Sequence, residues 1–232
     1  MTRESMESTK SIATLAEQAY DQLRQEILSC TLLPGQVISE RELAGKYKIS
    51  KTPVREAFTQ ACHNGLLQRL PGRGYMVTPI TIRDIQDLFD FRLILEVAAA
   101  ERAARDIFLV DLALLKELSA ISYDLDDPLS QTAFLKTNRN FHLALAKAAG
   151  NRRLEGMLED LLNEMERLFY LGLRLRDSGE EMKHEHQEVV AALENGDIAK
   201  VREAIAHQIL TSRNRILEAI MHGNISTVHV GR

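Results

Sequence analysis

The stretch SERELAGKYKISKTPVREAFTQACHNG, residues 39–65, reads as two short helices joined by a tight connection, and the rest of the chain is read outward from it. Ser39 followed by Glu42 matches a capping box, in which the hydroxyl and the carboxylate each accept a backbone N–H of the first turn. The helix this predicts runs to about Tyr47, and Lys48-Ile49-Ser50 makes the connection. Pro53 falls at the start of the second helix, where its missing N–H leaves no bond unmade. Asn64-Gly65 ends that helix. Val54, Ala57, Phe58 and Ala61 recur at i, i+3, i+4 and i+7, so they face a core. Lys51, Thr52, Arg55 and Thr59 are left on the opposite face.

Toward the N-terminus, Leu15, Ala19, Leu23 and Ile27 recur at helical spacing within residues 12–28, and Leu33-Pro34-Gly35 is a turn. Residues 1–11 read as a loose tail. Toward the C-terminus, residues 66–70 and 75–77 read as strands around the turn Pro71-Gly72-Arg73-Gly74. Helix, helix, turn, helix, hairpin is the order of a winged helix-turn-helix, spanning 12–78. After Pro79 every strong pattern has the 3.6-residue period. Six helices are expected, at about 81–105, 107–125, 129–149, 151–177, 178–195 and 197–222, with a tail at 223–232. Their short links imply antiparallel neighbours. The expected fold is therefore mainly α: an N-terminal winged helix-turn-helix with a small β-hairpin wing, then a C-terminal all-α antiparallel helical bundle over 79–222.

The chain holds 29 Lys and Arg against 33 Asp and Glu, a formal charge of −4. That total opposes a nucleic-acid partner only until it is resolved along the chain. Residues 1–78 carry +2 and residues 79–232 carry −6, while 39–78 alone carry seven bases against three acids. The basic excess sits on the helix-turn-helix. Two cysteines form no disulfide framework. No apolar run reaches the roughly 18 residues of a membrane span, and residues 1–10 lack the apolar core of a signal peptide. A cytoplasmic protein with no membrane partner is the expectation.

Cations and hydroxyls at the N-terminal end of a helix suit a major groove: hydroxyls and backbone N–H groups take phosphates, and a long cation reaches a guanine edge. Lys51, Thr52 and Arg55 have that placement. Arg41, near the start of the preceding helix, suits a phosphate or a base. Arg73 stands at the hairpin tip, where Gly72 lets the backbone approach a duplex closely. Arg69 and Lys46 read as solvated charges, and Cys62 and His63 as packing and capping residues.

Four motifs here resemble the GntR family of bacterial transcription regulators. They are Ser39-Glu40-Arg41-Glu42-Leu43-Ala44, Ser50-Lys51-Thr52-Pro53-Val54-Arg55-Glu56-Ala57, Gly65-Leu66-Leu67 and Pro71-Gly72-Arg73-Gly74-Tyr75. The likeness spans 14–77. The family pattern usually has Arg at the position of Lys51; Lys keeps the charge and loses the planar fork. The resemblance implies a homodimer on pseudo-palindromic operator DNA, with Arg41, Lys51, Arg55 and the Gly72–Arg73 wing at the duplex.

In the bundle, Asn138 and His142 form an i, i+4 pair on a stripe with Leu135, Leu145 and Ala149. His186 shares a stripe with Val189, Val190 and Leu193, and His207 lies one turn from Ala204 and Thr211. Three histidines and an amide from three helices suit a divalent ion such as Zn or Ni. Each also reads as a hydrogen-bonded core residue, and spacing leaves both readings open. His184 reads as a solvated competitor. The surrounding residues, Asn138-Arg139-Asn140-Phe141-His142, Ala149-Gly150-Asn151, Glu185-His186, Gly196-Asp197 and Ala206-His207, resemble the FCD ligand-binding domain of FadR-like GntR regulators over about 81–217. Six helices resemble the VanR-like subgroup. In many members an Asp and three His hold a divalent metal whose shell a small carboxylate effector completes. The resemblance maps that set onto Asn138, His142, His186 and His207, with Asn in place of the commoner Asp. Arg92 and Glu96 form an i, i+4 pair where the family often has Arg and Glu. Arg92 suits an effector carboxylate, or else an intrahelical ion pair or a dimer contact. Leu88, Phe91, Leu95 and Ala98 or Ala99 are expected on the core face of that helix.

The function expected is a DNA-binding regulator, a repressor by the family's usual mode. A small organic acid at the metal would shift the spacing of two reading heads. A metal-dependent hydrolase with an accessory winged helix is the alternative; no general base, nucleophile motif or phosphate-cradling loop accompanies the histidines.

Overall fold

In a computed structural model of the chain, residues 13–124, 127–222 and 228–229 are described. The expected tail at 1–11, residues 125–126 and most of 223–232 lie outside them. The chain forms two compact units. One holds the residues up to Ile27 with Thr31–Thr78, the other Leu28–Cys30 with the chain from Pro79 onward.

The first unit contains α1 (Leu15–Leu28), β1 (Val37–Ile38), α2 (Glu40–Tyr47), α3 (Lys51–His63), β2 (Leu67–Leu70) and β3 (Gly74–Val77). The Ser39/Glu42 capping box is present at the start of α2. Leu23, Ile27, Phe58, Ala61 and Val77 make its interior. The wing is a hairpin of β2 and β3, with Leu67 opposite Val77 and Leu70 opposite Gly74. A third strand, β1, pairs antiparallel with the far side of β3, Val37 opposite Met76. Two residues carry no readable alternation, so periodicity did not announce it. Gly74 makes the pairing possible: its φ is +99°, and a Cβ there would stand 2.7 Å from the Ile38 carbonyl oxygen.

The second unit contains β4 (Ile80–Thr81), α4 (Ile82–Arg105), α5 (Leu112–Ser119), α6 (Pro128–Ala148), α7 (Arg152–Leu175), α8 (Gly179–Glu194), α9 (Ile198–His222) and β5 (Val228–His229). β4 and β5 pair in parallel. Helix α4 packs against α6, α7 and α9, and α8 packs against α9 and α5. Six α-helices stand among the described residues of this unit, as expected, but the second is shorter. In place of one helix over 107–125, a 3-10 turn covers Ile107–Leu109 and α5 begins only at Leu112. Asp111 caps α5 by accepting from the Leu114 N–H, and an Asx cap of this kind starts a new helix. Past Ser119 the chain leaves helical geometry. Tyr123 there packs on Phe134, with ring centroids 4.7 Å apart, and donates to Asp177 at 2.7 Å.

Helix α4 keeps Leu95 and Ala99 of its expected core face and departs from it at Phe91. Ile85, Phe89, Arg92, Leu95, Glu96 and Ala99 face inward, whereas Phe91 and Ile94 are 38% and 67% exposed. The expected core stripe had put Phe91 inside.

Candidate functional site

Two sets of residues carry chemistry, one in each unit. In the first unit Arg41, Lys51, Thr52, Arg55, Gly72 and Arg73 are all exposed. The first turn of α2 supplies Arg41, and the first turns of α3 supply Lys51, Thr52 and Arg55. Val54, Ala57, Phe58 and Ala61, on the other face of α3, are buried and fix its orientation. Gly72 adopts φ +73° at the wing tip.

Arg55 has a partner that sequence reading did not single out. Its Nε and Nη2 donate to the Glu40 carboxylate at 3.2 and 3.0 Å, and the Tyr75 hydroxyl donates to the same group at 3.3 Å. The Arg55 hydrogen bond and charge hold the Glu40 carboxyl below its ordinary range. Arg55 remains 67% exposed, so water screens the pair and its worth to stability is small. Its consequence is positional. One carboxylate joins α2, α3 and, through Tyr75, β3. The only sequence sign of it was an acid in the first turn of α2.

In the second unit a polar cluster is set into the bundle interior. Arg92, Glu96, Asn138, His142, Glu185, His186, Gln208, Ser212 and Arg215 are all buried. Helix α4 places Arg92 and Glu96 one turn apart, and Arg92 Nε donates to Glu96 Oε1. The other Glu96 oxygen lies 2.5 Å from His142 Nδ1, with no aligned hydrogen bond between them. Arg92 Nη2 lies 2.8 Å from His142 Nε2. A guanidinium has only donors, so Nε2 accepts and Nδ1, facing a carboxylate, carries the proton. The three residues close a triangle across α4 and α6. The Arg92 guanidinium also stands 5.3 Å from the Phe169 ring and 5.9 Å from the Phe89 ring.

His186 on α8 joins this triangle. Its Nε2 is 3.5 Å from His142 Nε2, and its ring lies 4.2 Å from that of Phe141. Burial pushes both imidazoles below their ordinary pKa, His186 well below, and Arg92 adds to the effect on each. Both are therefore neutral near pH 7. Burial also acts to raise Glu96, but the Arg92 guanidinium and the His142 imidazole beside the carboxylate outweigh it and hold the carboxyl at about 2. A second buried pair follows: Arg215 Nη1 and Nη2 donate to the two Glu185 oxygens at 2.6 and 2.8 Å. Beside the Arg215 pair lies a small cavity of about 20 Å³, with Phe169, Ser212 and Arg215 in its wall, room for about one water-sized group.

The structure brings together Arg92, His142 and His186 and buries Asn138 on the same helix as His142. His207 is not among them. It is exposed, on a shallow open groove with Glu188, Lys200 and Glu203, and its Nε2 lies 3.5 Å from the Thr211 hydroxyl. The inward stripe of α9 runs Val201, Ile205, Gln208, Ser212 and Ile216. The residue that α9 turns inward at this level is Gln208, one position on, and its Oε1 is buried without a hydrogen-bond partner. Arg92 is also more constrained than a free effector anchor, being 2% exposed and ion-paired within its own helix. His184 is exposed, as expected, and lies against Glu188.

These positions bear on the divalent metal that the family resemblance implies. Two imidazole nitrogens 3.5 Å apart match one edge of a tetrahedral shell, about 3.4 Å for Zn–N bonds of about 2.1 Å. The rest of the set does not follow. Among the described residues no group of three or more His, Cys, Asp or Glu is placed to hold a metal. Amides stand at Asn138 and Gln208, the Glu96 carboxylate faces His142 Nδ1 and is paired with Arg92, and the Arg92 cation occupies the lone pair of His142 Nε2. The donor set does not fit Zn or Ni.

A cationic winged helix-turn-helix in one unit and a helical bundle with a buried polar cluster in the other define the class of two-part DNA-binding proteins. Comparison with known proteins gives the family. Residues 15–77 match the family of bacterial regulatory proteins, gntR family, and residues 87–211 match the FCD domain. The HTH-type transcriptional repressor RspR of Escherichia coli is 29% identical over 83% of this chain and 85% of its own length. The gluconate operon transcriptional repressor of Bacillus subtilis is 26% identical over 90% of this chain and 81% of its own length. Among solved structures, McbR/YncC of E. coli superposes with a TM-score of 0.64 at 23% identity, covering 90% of this chain and all of that one, a likeness of fold. The chain belongs to the GntR family of transcription regulators, in the branch with an FCD effector-binding domain, and is not an enzyme. Among the described residues no helix is long and apolar enough to cross a membrane.

Proposed function

We propose that the chain is a cytoplasmic repressor that binds a pseudo-palindromic operator as a homodimer and changes its affinity when a small carboxylate enters the bundle. The observation that carries this reading is the separation of chemistries. Arg41, Lys51, Arg55 and Arg73 are exposed on one compact unit, while Arg92, His142, His186 and Arg215 are buried in the other. Exposed cations attract phosphates and read base edges. Buried guanidiniums and imidazoles recognise a small anion out of water. The repressor names of the relatives support the sign of regulation. The homodimer is supported by Phe91 and Ile94, exposed apolar residues one turn apart on the outer face of α4.

Control of this kind is a coupling free energy between two sites: the effector shifts operator affinity by as much as its own affinity differs between the two forms. Binding to the DNA upstream of the protein's own gene tests the first half. Log affinity should fall steeply with log salt, and Arg55→Ala should lose operator binding by a factor of about ten or more with the helical content unchanged. A flat salt dependence, or an unchanged affinity in the variant, removes this face from the interface.

A further inference from the structure

Resting on the effector reading above, we infer that the bundle site works without a metal. Arg92 supplies, as a fixed guanidinium, the positive charge that a divalent ion would bring. The effector is a small carboxylic acid carrying a hydroxyl or amino donor.

Three observations carry this. First, the nitrogen a metal would take from His142 is already an acceptor for Arg92 Nη2 at 2.8 Å, and Glu96 holds the other side of that ring. A divalent cation at His142 Nε2 would have to displace a guanidinium that is itself anchored by a carboxylate. Second, the buried carboxylates Glu96 and Glu185 are each taken by a guanidinium, the remaining donors are neutral amides, Asn138 on α6 and Gln208 on α9, and the third histidine faces solvent. Soft and borderline ions are held by imidazole, thiolate and carboxylate donors in sets of three or four; two imidazoles fall short. Third, Gln208 Oε1 is buried with no partner. A buried acceptor left unpaired is costly, and a ligand with an O–H or N–H donor would satisfy it. Arg92 has five N–H donors, of which Glu96 and His142 account for two. Phe169, against which the guanidinium stacks, also lines the small cavity with Ser212 and Arg215. A compact acid that also carries an O–H or N–H donor is the partner that the unpaired Gln208 oxygen calls for.

The test uses the full chain and two probes that differ by one hydroxyl, glycolate and acetate. Protein stripped with EDTA is loaded with excess Zn²⁺ or Ni²⁺, desalted, and its metal counted by mass spectrometry beside His142→Ala. The expected content is the same in both proteins. One ion per chain in the parent, lost in His142→Ala, overturns the inference. Thermal unfolding of the parent chain alone gives a second reading. In stripped protein freed of EDTA, glycolate at ten times its Kd should raise Tm by about 3 °C, more than acetate does, and added Zn²⁺ or Ni²⁺ should leave that rise unchanged. A rise that appears only with metal overturns metal independence and leaves the effector reading standing. No rise with either acid, with or without metal, overturns the effector reading itself. Gln208→Leu should erase the difference between the two acids; a difference that persists overturns the assignment of the donor to Gln208.

Discussion

Replacing Glu96 by Gln isolates the charge on which the buried triangle depends. The two side chains of the Arg92–Glu96 pair are each 2% exposed, so water does not screen them. The carboxyl pKa falls from an ordinary 4.5 to about 2 in the fold. At 1.36 kcal/mol per unit that is on the order of 3 kcal/mol of stability at pH 7. Removing one partner of a buried ion pair costs about 3–5 kcal/mol by a separate route. These are two views of one interaction and do not add. Glu96→Gln should therefore lower the stability of the bundle by about 3 kcal/mol, since Arg92 keeps its charge and loses its counter-charge. Urea unfolding followed by helical circular dichroism reads this as a midpoint shift of roughly 1–2 M, for a slope of about 2 kcal/mol/M. The pH dependence supplies the sign. A carboxyl whose folded pKa lies below its unfolded pKa contributes fully above about 4.5, and the contribution fades as the pH falls toward 2. The parent should lose stability through that window more steeply than the variant. An Arg92→Met/Glu96→Met double variant should recover part of the loss, because it removes both buried charges together. A loss below about 1 kcal/mol, or equal acid slopes in parent and variant, would refute the claim that this pair is a strongly coupled interior charge pair.

Three further outcomes follow from the same geometry. Glu40→Gln releases Arg55 and removes a negative charge from the surface proposed to face DNA. Non-specific affinity at low salt should rise several-fold while the preference for the operator narrows, measured by fluorescence anisotropy on operator and scrambled duplexes; weaker binding to both duplexes would contradict it. Gly74→Ala places a Cβ 2.7 Å from the Ile38 oxygen at a φ of +99°, which should cost the winged head about 2–3 kcal/mol in urea unfolding and weaken operator binding; an unchanged midpoint would show that β1 yields without cost. Ile94→Glu should shift the protein toward monomer in sedimentation with little change in helical content, and an unaltered sedimentation coefficient would place the dimer contact elsewhere.

The reading head was legible nearly to the residue because its signals are local. A capping box, a proline at a helix start, an Asn-Gly stop and a glycine-flanked turn each act within four residues, and none needs a partner from another part of the chain. The strand β1 escaped because two residues hold no period; its pairing is set by what Gly74 allows on the other strand. The helix expected over 107–125 ran too long for a similar reason. Asp111 restarts the helix locally, but what draws the chain out of helical geometry near Tyr123 is Phe134 and Asp177, which lie far along the sequence.

The bundle site was legible in its residue types and less so in its phase. Reading an inward face from apolar residues presumes that the interior is apolar. On α4 the interior holds Arg92 and Glu96, and Phe91 and Ile94 lie outside, so a stripe drawn through Phe91 points the wrong way. On α9 a histidine attracted attention as a ligand type, yet its own stripe is polar: Lys200, Glu203, Ala204, Thr211 and Asn214. The stripe one residue on, through Val201, Ile205, Ile209, Ser212 and Ile216, carries Gln208 inside. A comparison of the two stripes would have chosen the amide without a structure. That single residue changes the chemistry argued for the site. With His207 the set has three imidazoles and calls for a cation. With Gln208 it has two imidazoles, two amides and a guanidinium already paired with Glu96, a set that no longer calls for a cation.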